Sequence, residues 1–412
     1  MLIQLFKQNS YEQRSKKRKQ DFTRKRKMLF AEIIFMMLSM VKESTQNALE
    51  RVFPQLQKEN LHMSRQAFSK ARKKIKREAF EEAFQASVEG SYNEEYKLWR
   101  GFRVMAVDGS VMRLPSDAAL LQYYGGIGNE RGVTAPAALA SLLYDLENDI
   151  IVDAKIAPIR DNERMLAQAH LRALQGLSGY NSGHRELIIF DRGYPSYEMF
   201  NSLSDKELAY VIRLQGSFLS ERDIPKTKDG WVTLEKIGRR VRVIQLVLTT
   251  GEVEMLITNL SESQMEYAAF GELYHKWWGI ETKYKELKQK LETENFSGRL
   301  VDNVKQDFYA MMTVANMVAS LARQANRKAE KQREGQENKY KYRVNVNHAI
   351  GVFKDRLIRV IIEEDRITRL YLMNDLVCRM ERRVVPIRPN RKVAREKHRR
   401  NTKFHLNHKS NC

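Results

Sequence analysis

Two short apolar runs, Phe102-Arg103-Val104-Met105-Ala106-Val107 and Leu187-Ile188-Ile189-Phe190, each end on an aspartate, Asp108 and Asp191. Apolar runs of this length predict strands buried on both faces, and such strands belong to a sheet covered by helices. One carboxylate after a buried strand is usually a turn residue or a helix cap. Two of them joined by a third acid on a helix describe a hard oxygen cage of the kind that holds magnesium. The third acid is Glu281. From Tyr274 to Lys288 the pattern is helical, and residues seven apart nearly eclipse across two turns, so Tyr274, Glu281 and Lys288 share one face. A phenol, a carboxylate and an ammonium in line suit a metal-bound phosphate, and the three acids together read as phosphodiester chemistry. A bland alternative for Glu281 is an i,i+4 pair with Lys285, worth a few tenths of a kcal/mol. The neighbouring Trp277, Trp278, Ile280 and Tyr284 predict a largely buried helix, where an uncompensated carboxylate is costly.

The charge points the same way. Lys and Arg number 72 against 51 Asp and Glu, a formal surplus of +21 in 412 residues. Such an excess favours a polyanion, because each cation that neutralises a phosphate releases condensed counterions. Nucleic acid is the expected partner. Only Cys378 and Cys412 occur, which excludes a disulfide framework and a cysteine zinc site and fits a reducing cytoplasm. The most apolar early run, Phe30 to Val41, is interrupted by Glu32 and too short to span a bilayer, so it predicts a buried helix and no membrane association. Gly125-Gly126-Ile127-Gly128 lacks the third glycine of a dinucleotide fingerprint, with Arg131 in its place, and reads as a flexible loop. His405 and His408 lack further zinc ligands nearby. Neither a nucleophile elbow nor a Walker lysine loop is present.

Length and pattern predict three regions. Residues 1–100 are helical and basic, with a run from Arg14 to Lys19 and another from Arg24 to Lys27. Ser64 caps a helix with Ala67, Phe68, Ala71 and Ile75 on one stripe, while Arg65, Lys70, Lys73, Lys74 and Lys76 form a face that can lie on DNA. Residues 101–300 carry the order strand, strand, strand, helix, strand (102–107, 136–144, 150–158, 162–174, 186–191), with a further strand at 209–214. That order predicts a mixed α/β sheet with flanking helices, and Asp191 beside Asp108 if the fourth strand neighbours the first. Short β segments at 241–248 and 253–257 mark a β-rich insertion at about 216–268. Helices at 270–289 and 304–324 follow, then a polar stretch from Arg327 to Arg343 read as a linker or exposed helix. The region 301–412 closes with a helical piece to about Arg383 and a basic tail expected to order only on nucleic acid.

The three acids with their neighbours resemble the catalytic triad of DDE transposases. The surroundings of Glu281 are similar to the Tyr-x2-Arg-x3-Glu-x6-Lys signature of the insertion sequence family four: Tyr274, Glu281 and Lys288 match its spacing. Asp108-Gly109-Ser110 and Asp191-Arg192-Gly193-Tyr194 resemble that family's first and second aspartate motifs. One position departs, since Trp277 stands where the signature has arginine, and an indole cannot make the bidentate phosphate contact of a guanidinium. The resemblance implies an RNase H-like core broken by a β insertion, with helical N- and C-terminal regions. It also implies cut-and-paste transposition at terminal inverted repeats, in which Asp108, Asp191 and Glu281 hold two Mg2+ or Mn2+ ions. Tyr274, Trp277, Trp278, Lys288 and Arg192 would meet DNA near the cut, and Arg65 and Lys73 would bind it through the N-terminal helices. The implied setting is double-stranded DNA gripped by a homodimer in the cytoplasm, at the nucleoid. A nuclease of the same fold without strand transfer, and a degenerate DNA-binding transposase, are the alternatives.

Overall fold

The computed structural model describes residues 2–24, 27–41, 43–92, 96–128, 134–177, 185–216, 218–220, 224–248, 251–337 and 339–388. Parts of the second N-terminal basic run, together with Arg131, almost the whole basic tail and both tail histidines, therefore lie outside the described residues. Helices come first: α1 (Leu2–Lys7), α2 (Asn9–Ser15), α3 (Phe30–Ser39), α4 (Thr45–Gln55), α5 (Arg65–Arg72) and α6 (Glu78–Tyr92). The middle of the chain alternates β1 (Phe102–Arg113), α7 (Ala118–Tyr124), β2 (Gly126–Gly128), β3 (Thr134–Asp145), β4 (Ile150–Pro158), α8 (Glu163–Gln175), β5 (Arg185–Phe190), α9 (Tyr197–Asp205) and β6 (Ala209–Arg213). Then come β7 (Asp229–Leu234), β8 (Arg239–Val247), β9 (Val253–Thr258), α10 (Ala269–Lys290), α11 (Val301–Gln332), β10 (Lys341–Val344), α12 (Val346–Ile362), α13 (Arg366–Glu381) and β11 (Val384–Ile387). Contacts divide these elements into two compact units.

The first unit, residues 1–93, 112–138 and 286–412, is mainly helical. The apolar run expected to be a buried helix is α3, where every side chain but Ala31 and Glu32 is buried. Glu32 accepts the Leu29 N–H (2.7 Å) and pairs with Lys58 (2.6 Å), so the one charge in the run works as a cap. Ser64 caps α5 as expected, its side chain accepting the Ala67 N–H, and Phe68 and Ile75 are buried while Ala67 is exposed. Arg72 ends that helix fully inside, meeting Asp307 (3.1 Å), Gln306 Oε1 (2.6 Å) and the Asn303 carbonyl (2.7 Å) of α11. Removing either partner of such a buried pair costs about 3–5 kcal/mol, so it locks α5 onto α11. Helix α11 continues eight residues past the expected end at 324, because Ala325 and Ala329 still turn inward beneath a polar exterior. The last part of the stretch read as a linker is β10, which pairs antiparallel with β11, a strand the sequence reading did not include. No helix among the described residues is long and apolar enough to cross a membrane.

The second unit, residues 94–111 and 139–285, holds the mixed sheet, in the order β3-β1-β5-β6-β9-β8-β7 with β4 on β3. Its centre is parallel: β1 pairs with β5 and β5 with β6. The buried faces of these strands are apolar throughout, Val104 to Val107 and Leu187 to Phe190 being at most 2 % exposed. The expected insertion is an antiparallel extension of that sheet, since β9 pairs with β6, β8 with β9 and β7 with β8. The second unit thus has a mixed α/β architecture with flanking helices.

Candidate active site

Register decides where the two aspartates stand. Strand β1 runs parallel to β5 with Phe102 opposite Arg185 and Val107 opposite Phe190, so the next step puts Asp108 level with Asp191 on adjacent strands. Neighbouring strands lie about 4.8 Å apart, which makes the two carboxylates near neighbours. A buried ion pair helps to fix this alignment. Arg103 and Glu186 face each other across the same ladder, Arg103 Nε donating to Glu186 at 2.8 Å, and a slip of one residue would leave both charges buried and unpaired. Beyond Asp108 the strand continues to Arg113, six residues further than the 102–107 of the sequence pattern, with its face partly open.

Helix α10 brings in Glu281 and is held from three directions. Tyr284, buried one turn after Glu281, shares its single hydroxyl proton between the Asp108 carbonyl (2.8 Å) and the Ala140 carbonyl (3.1 Å). Lys276 and Lys283, two turns apart, reach the turn between β3 and β4, Lys276 at Glu147 (2.5 Å) and Lys283 at Asp149 (2.7 Å). Gly279 allows this approach, because a Cβ there would lie 2.8 Å from Leu146 Cδ2. Lys276 is therefore committed to Glu147 and does not stand in for the signature arginine. Among the described residues Glu281 itself has no cation within ion-pair distance, so the pairing with Lys285 is not formed; its carboxylate is half-buried and charges the surroundings of Asp108.

A fourth acid joins them. Glu163, the first residue of α8, follows the Asn162 cap and lies so close over Gly109 that a Cβ at 109 would be 2.5 Å from Glu163 Oε1. The sequence reading passed over it, because an acid in the first turn of a helix is ordinary dipole chemistry. Burial pushes the Asp108 carboxyl up to about 7, against the Gly109 N–H that favours its ionised form, and the charges of Asp191, Glu163 and Glu281 add to the rise. Burial and then Asp191 raise Glu163 as well. The phenol of Tyr194, buried and without a hydrogen-bond partner among the described residues, is pushed well above its ordinary value by burial and by Glu163, Asp108 and Asp191.

Among the described residues, Asp191 alone of the four meets a cation. Arg213, at the end of β6, donates to Asp191 Oδ1 (2.9 Å) and to Glu254 (2.8 Å), and Glu254 also holds Arg192, which is 47 % exposed. The Arg213 guanidinium packs over the rings of Trp277 (5.0 Å) and Tyr274 (5.2 Å). Trp277 is 3 % exposed, so its indole meets Arg213, whereas Trp278 is 45 % exposed. Lys288, in the other unit, is lowered by burial, which outweighs the pull of Glu294 at 3.8 Å. Arg65 and Lys73 are exposed on and just after α5.

Among the described residues no group of three or more acid, histidine or cysteine side chains is drawn together tightly enough to hold an ion. Like charges at this density repel, which favours carboxylates held apart. The donors suit a divalent ion: they are hard oxygens, and among the described residues three of them lack any cation and a buried phenol beside them lacks a partner.

The family described as a transposase DDE domain matches residues 99–317, more than half of the chain. The chain is 23 % identical over 278 residues to the transposase InsG for insertion sequence element IS4 of Escherichia coli (strain K12), a match covering 61 % of this chain and 60 % of that protein. It thus spans about 60 % of the length of the curated relative it matches. A solved structure, the piggyBac transposase synaptic complex with hairpin DNA, aligns with a TM-score of 0.46 and 11 % identity over 92 % of this chain and 84 % of that one.

Proposed function

We propose that this chain, which belongs to the DDE transposases of the insertion sequence four family, cleaves DNA at the terminal repeats of a mobile element and joins the cut ends to target DNA. The observation that carries the reading is the meeting of Asp108, Asp191 and Glu281, from two adjacent strands and a pinned helix, in one strongly negative and partly buried site. Asp108, Asp191 and Glu281, helped by Glu163, would hold the Mg2+ or Mn2+ ions, two being expected, which polarise the phosphate and activate water or a 3′-hydroxyl for in-line displacement. The protein's own groups do the positioning. Arg213 fixes Asp191 and, packed on Trp277, supplies from β6 the guanidinium that the signature places at 277. This favours an active enzyme over a degenerate one. Arg192 and Tyr274 orient the phosphate, the exposed Trp278 offers a face on which a base can stack, and Lys288 contributes to DNA binding. Arg65 and Lys73 contribute to duplex binding. Two transposon ends must be held together for strand transfer, so a homodimer on DNA, acting in the cytoplasm on nucleoid DNA, completes the reading.

The test separates chemistry from binding. Asp191→Asn should abolish magnesium-dependent cleavage of DNA carrying the inverted repeats that flank the coding region. DNA affinity should stay unchanged or rise, because a negative charge facing phosphate is removed. Parallel loss of cleavage and binding in a folded chain counts against this division of labour.

A further inference from the structure

Away from the acids, within the helical unit, α12 and α13 flank an open cavity of about 670 Å³ lined by five arginines. Arg356 and Arg359 are one turn apart and share a face of α12; Arg379 and its cap residue Arg382 are likewise one turn apart at the end of α13, and Arg383 follows just past that helix. Two carboxylates stand against them, Asp355 in the lining and Asp375 behind it. Asp375 ties down Arg356 (3.1 Å) and Arg379 (2.8 Å), both half-buried. Arg359, Arg382 and Arg383 are exposed and, among the described residues, make no ion pair. A wall of anchored guanidiniums topped by free ones is poorly explained by helix dipoles alone, which reward only the last turn of each helix.

From this geometry we infer that the arginine cavity between α12 and α13 grips the phosphate backbone of duplex DNA, as a contact site separate from the acid cluster. Guanidiniums match phosphate oxygens in bidentate fashion. The lining holds no Phe, Tyr or Trp, and its one ring, the half-buried His348 imidazole, has its Nε2 3.1 Å from the Arg379 carbonyl, so the five guanidiniums dominate what a ligand meets there. Recognition there is of phosphate, without sequence preference. The inference rests on the reading that the chain acts on DNA, but not on its chemistry.

The test uses the full chain and a fluorescent duplex of arbitrary sequence, with affinity measured across salt concentrations. Replacing Arg359, Arg382 and Arg383 together by glutamine should reduce the slope of log affinity against log salt by about 2.7, at ~0.9 for each phosphate contact given up. The corresponding lysine triple should keep most of the slope. An unchanged slope in the glutamine triple overturns the inference. So does a glutamine triple that loses binding of inorganic pyrophosphate while its DNA slope is intact, since the cavity is then a small-anion site. If the triple melts early, Arg383→Gln alone should still reduce the slope by about 0.9, and no change there also overturns it. Wild-type protein that shows this arginine-dependent binding yet never cleaves with magnesium would sink the proposed function and leave the inference standing.

Discussion

Arginine at position 277 restores the letter of the family signature and, in this fold, should damage the protein. The indole of Trp277 is buried with the Arg213 guanidinium 5.0 Å from its ring. A second guanidinium at about that distance repels the first by roughly 3 kcal/mol at an effective dielectric of 20. The lost cation–π contact adds up to about 2 kcal/mol in a desolvated setting. Trp277→Arg should therefore lower stability by roughly 3–5 kcal/mol. At about 2–4 °C per kcal/mol for a unit of this size, that is a fall in melting temperature on the order of 10 °C. Cleavage should fall with it, because Arg213 will no longer hold Asp191 in place. Differential scanning fluorimetry and a cleavage assay on the same preparation read both effects. Adding Arg213→Met should recover most of the repulsive part, a coupling that a double-mutant cycle isolates. Raised cleavage at unchanged melting temperature in the single variant refutes the argument, and shows instead that position 277 faces the phosphate and that the wild-type site lacks its arginine.

Gly109→Ala should displace Glu163, whose Oε1 would lie 2.5 Å from the new Cβ, and lower cleavage about tenfold, the effect of roughly 1.4 kcal/mol in the barrier; full activity in a folded variant means that Glu163 takes no part. Asp153 gives a pH-dependent outcome: burial pushes its carboxyl up, but the hydrogen bonds and charges of His170 (2.7 Å) and Lys155 (2.8 Å) outweigh burial and hold it below the ordinary carboxylate range. A depressed folded value contributes stability above the unfolded value of about 3.9 that is lost as pH falls through the folded one. Asp153→Asn should accordingly be less stable than wild type at neutral pH, with the gap closing below about pH 4 in denaturant titrations. A gap independent of pH contradicts the assignment.

Much of the site could be read in the sequence because its parts follow short-range rules. The apolar runs before Asp108 and Asp191 mark buried strands whatever their neighbours, and the seven-residue spacing around Glu281 fixes a helix face. What those rules omit is partnership. Nothing local in β9 says that it pairs with β6 and extends the central sheet, and nothing in Lys341–Val344 announces a partner some forty residues downstream. The Arg327 to Arg343 stretch looks like solvent-exposed chain because, among its described residues, only an alanine, Ala329, is fully buried. Glu163 and Arg213 escaped notice for the same reason: one is an ordinary first-turn acid and the other an ordinary strand-end arginine until the sheet order brings them beside Asp108 and Asp191. Helical geometry put Trp277 on the face of Glu281, but only tertiary packing tells that an arginine from β6 covers its ring.

The central claim is that the acids on β1, β5 and α10 form one site for divalent ions. Titration of the full chain with Mn2+, followed by electron paramagnetic resonance of the free ion, tests it without depending on DNA or turnover. Saturable binding by wild type that is lost in the Asp108→Asn, Asp191→Asn, Glu281→Gln triple variant is the predicted result. Equal Mn2+ uptake by wild type and a folded triple variant would contradict the account.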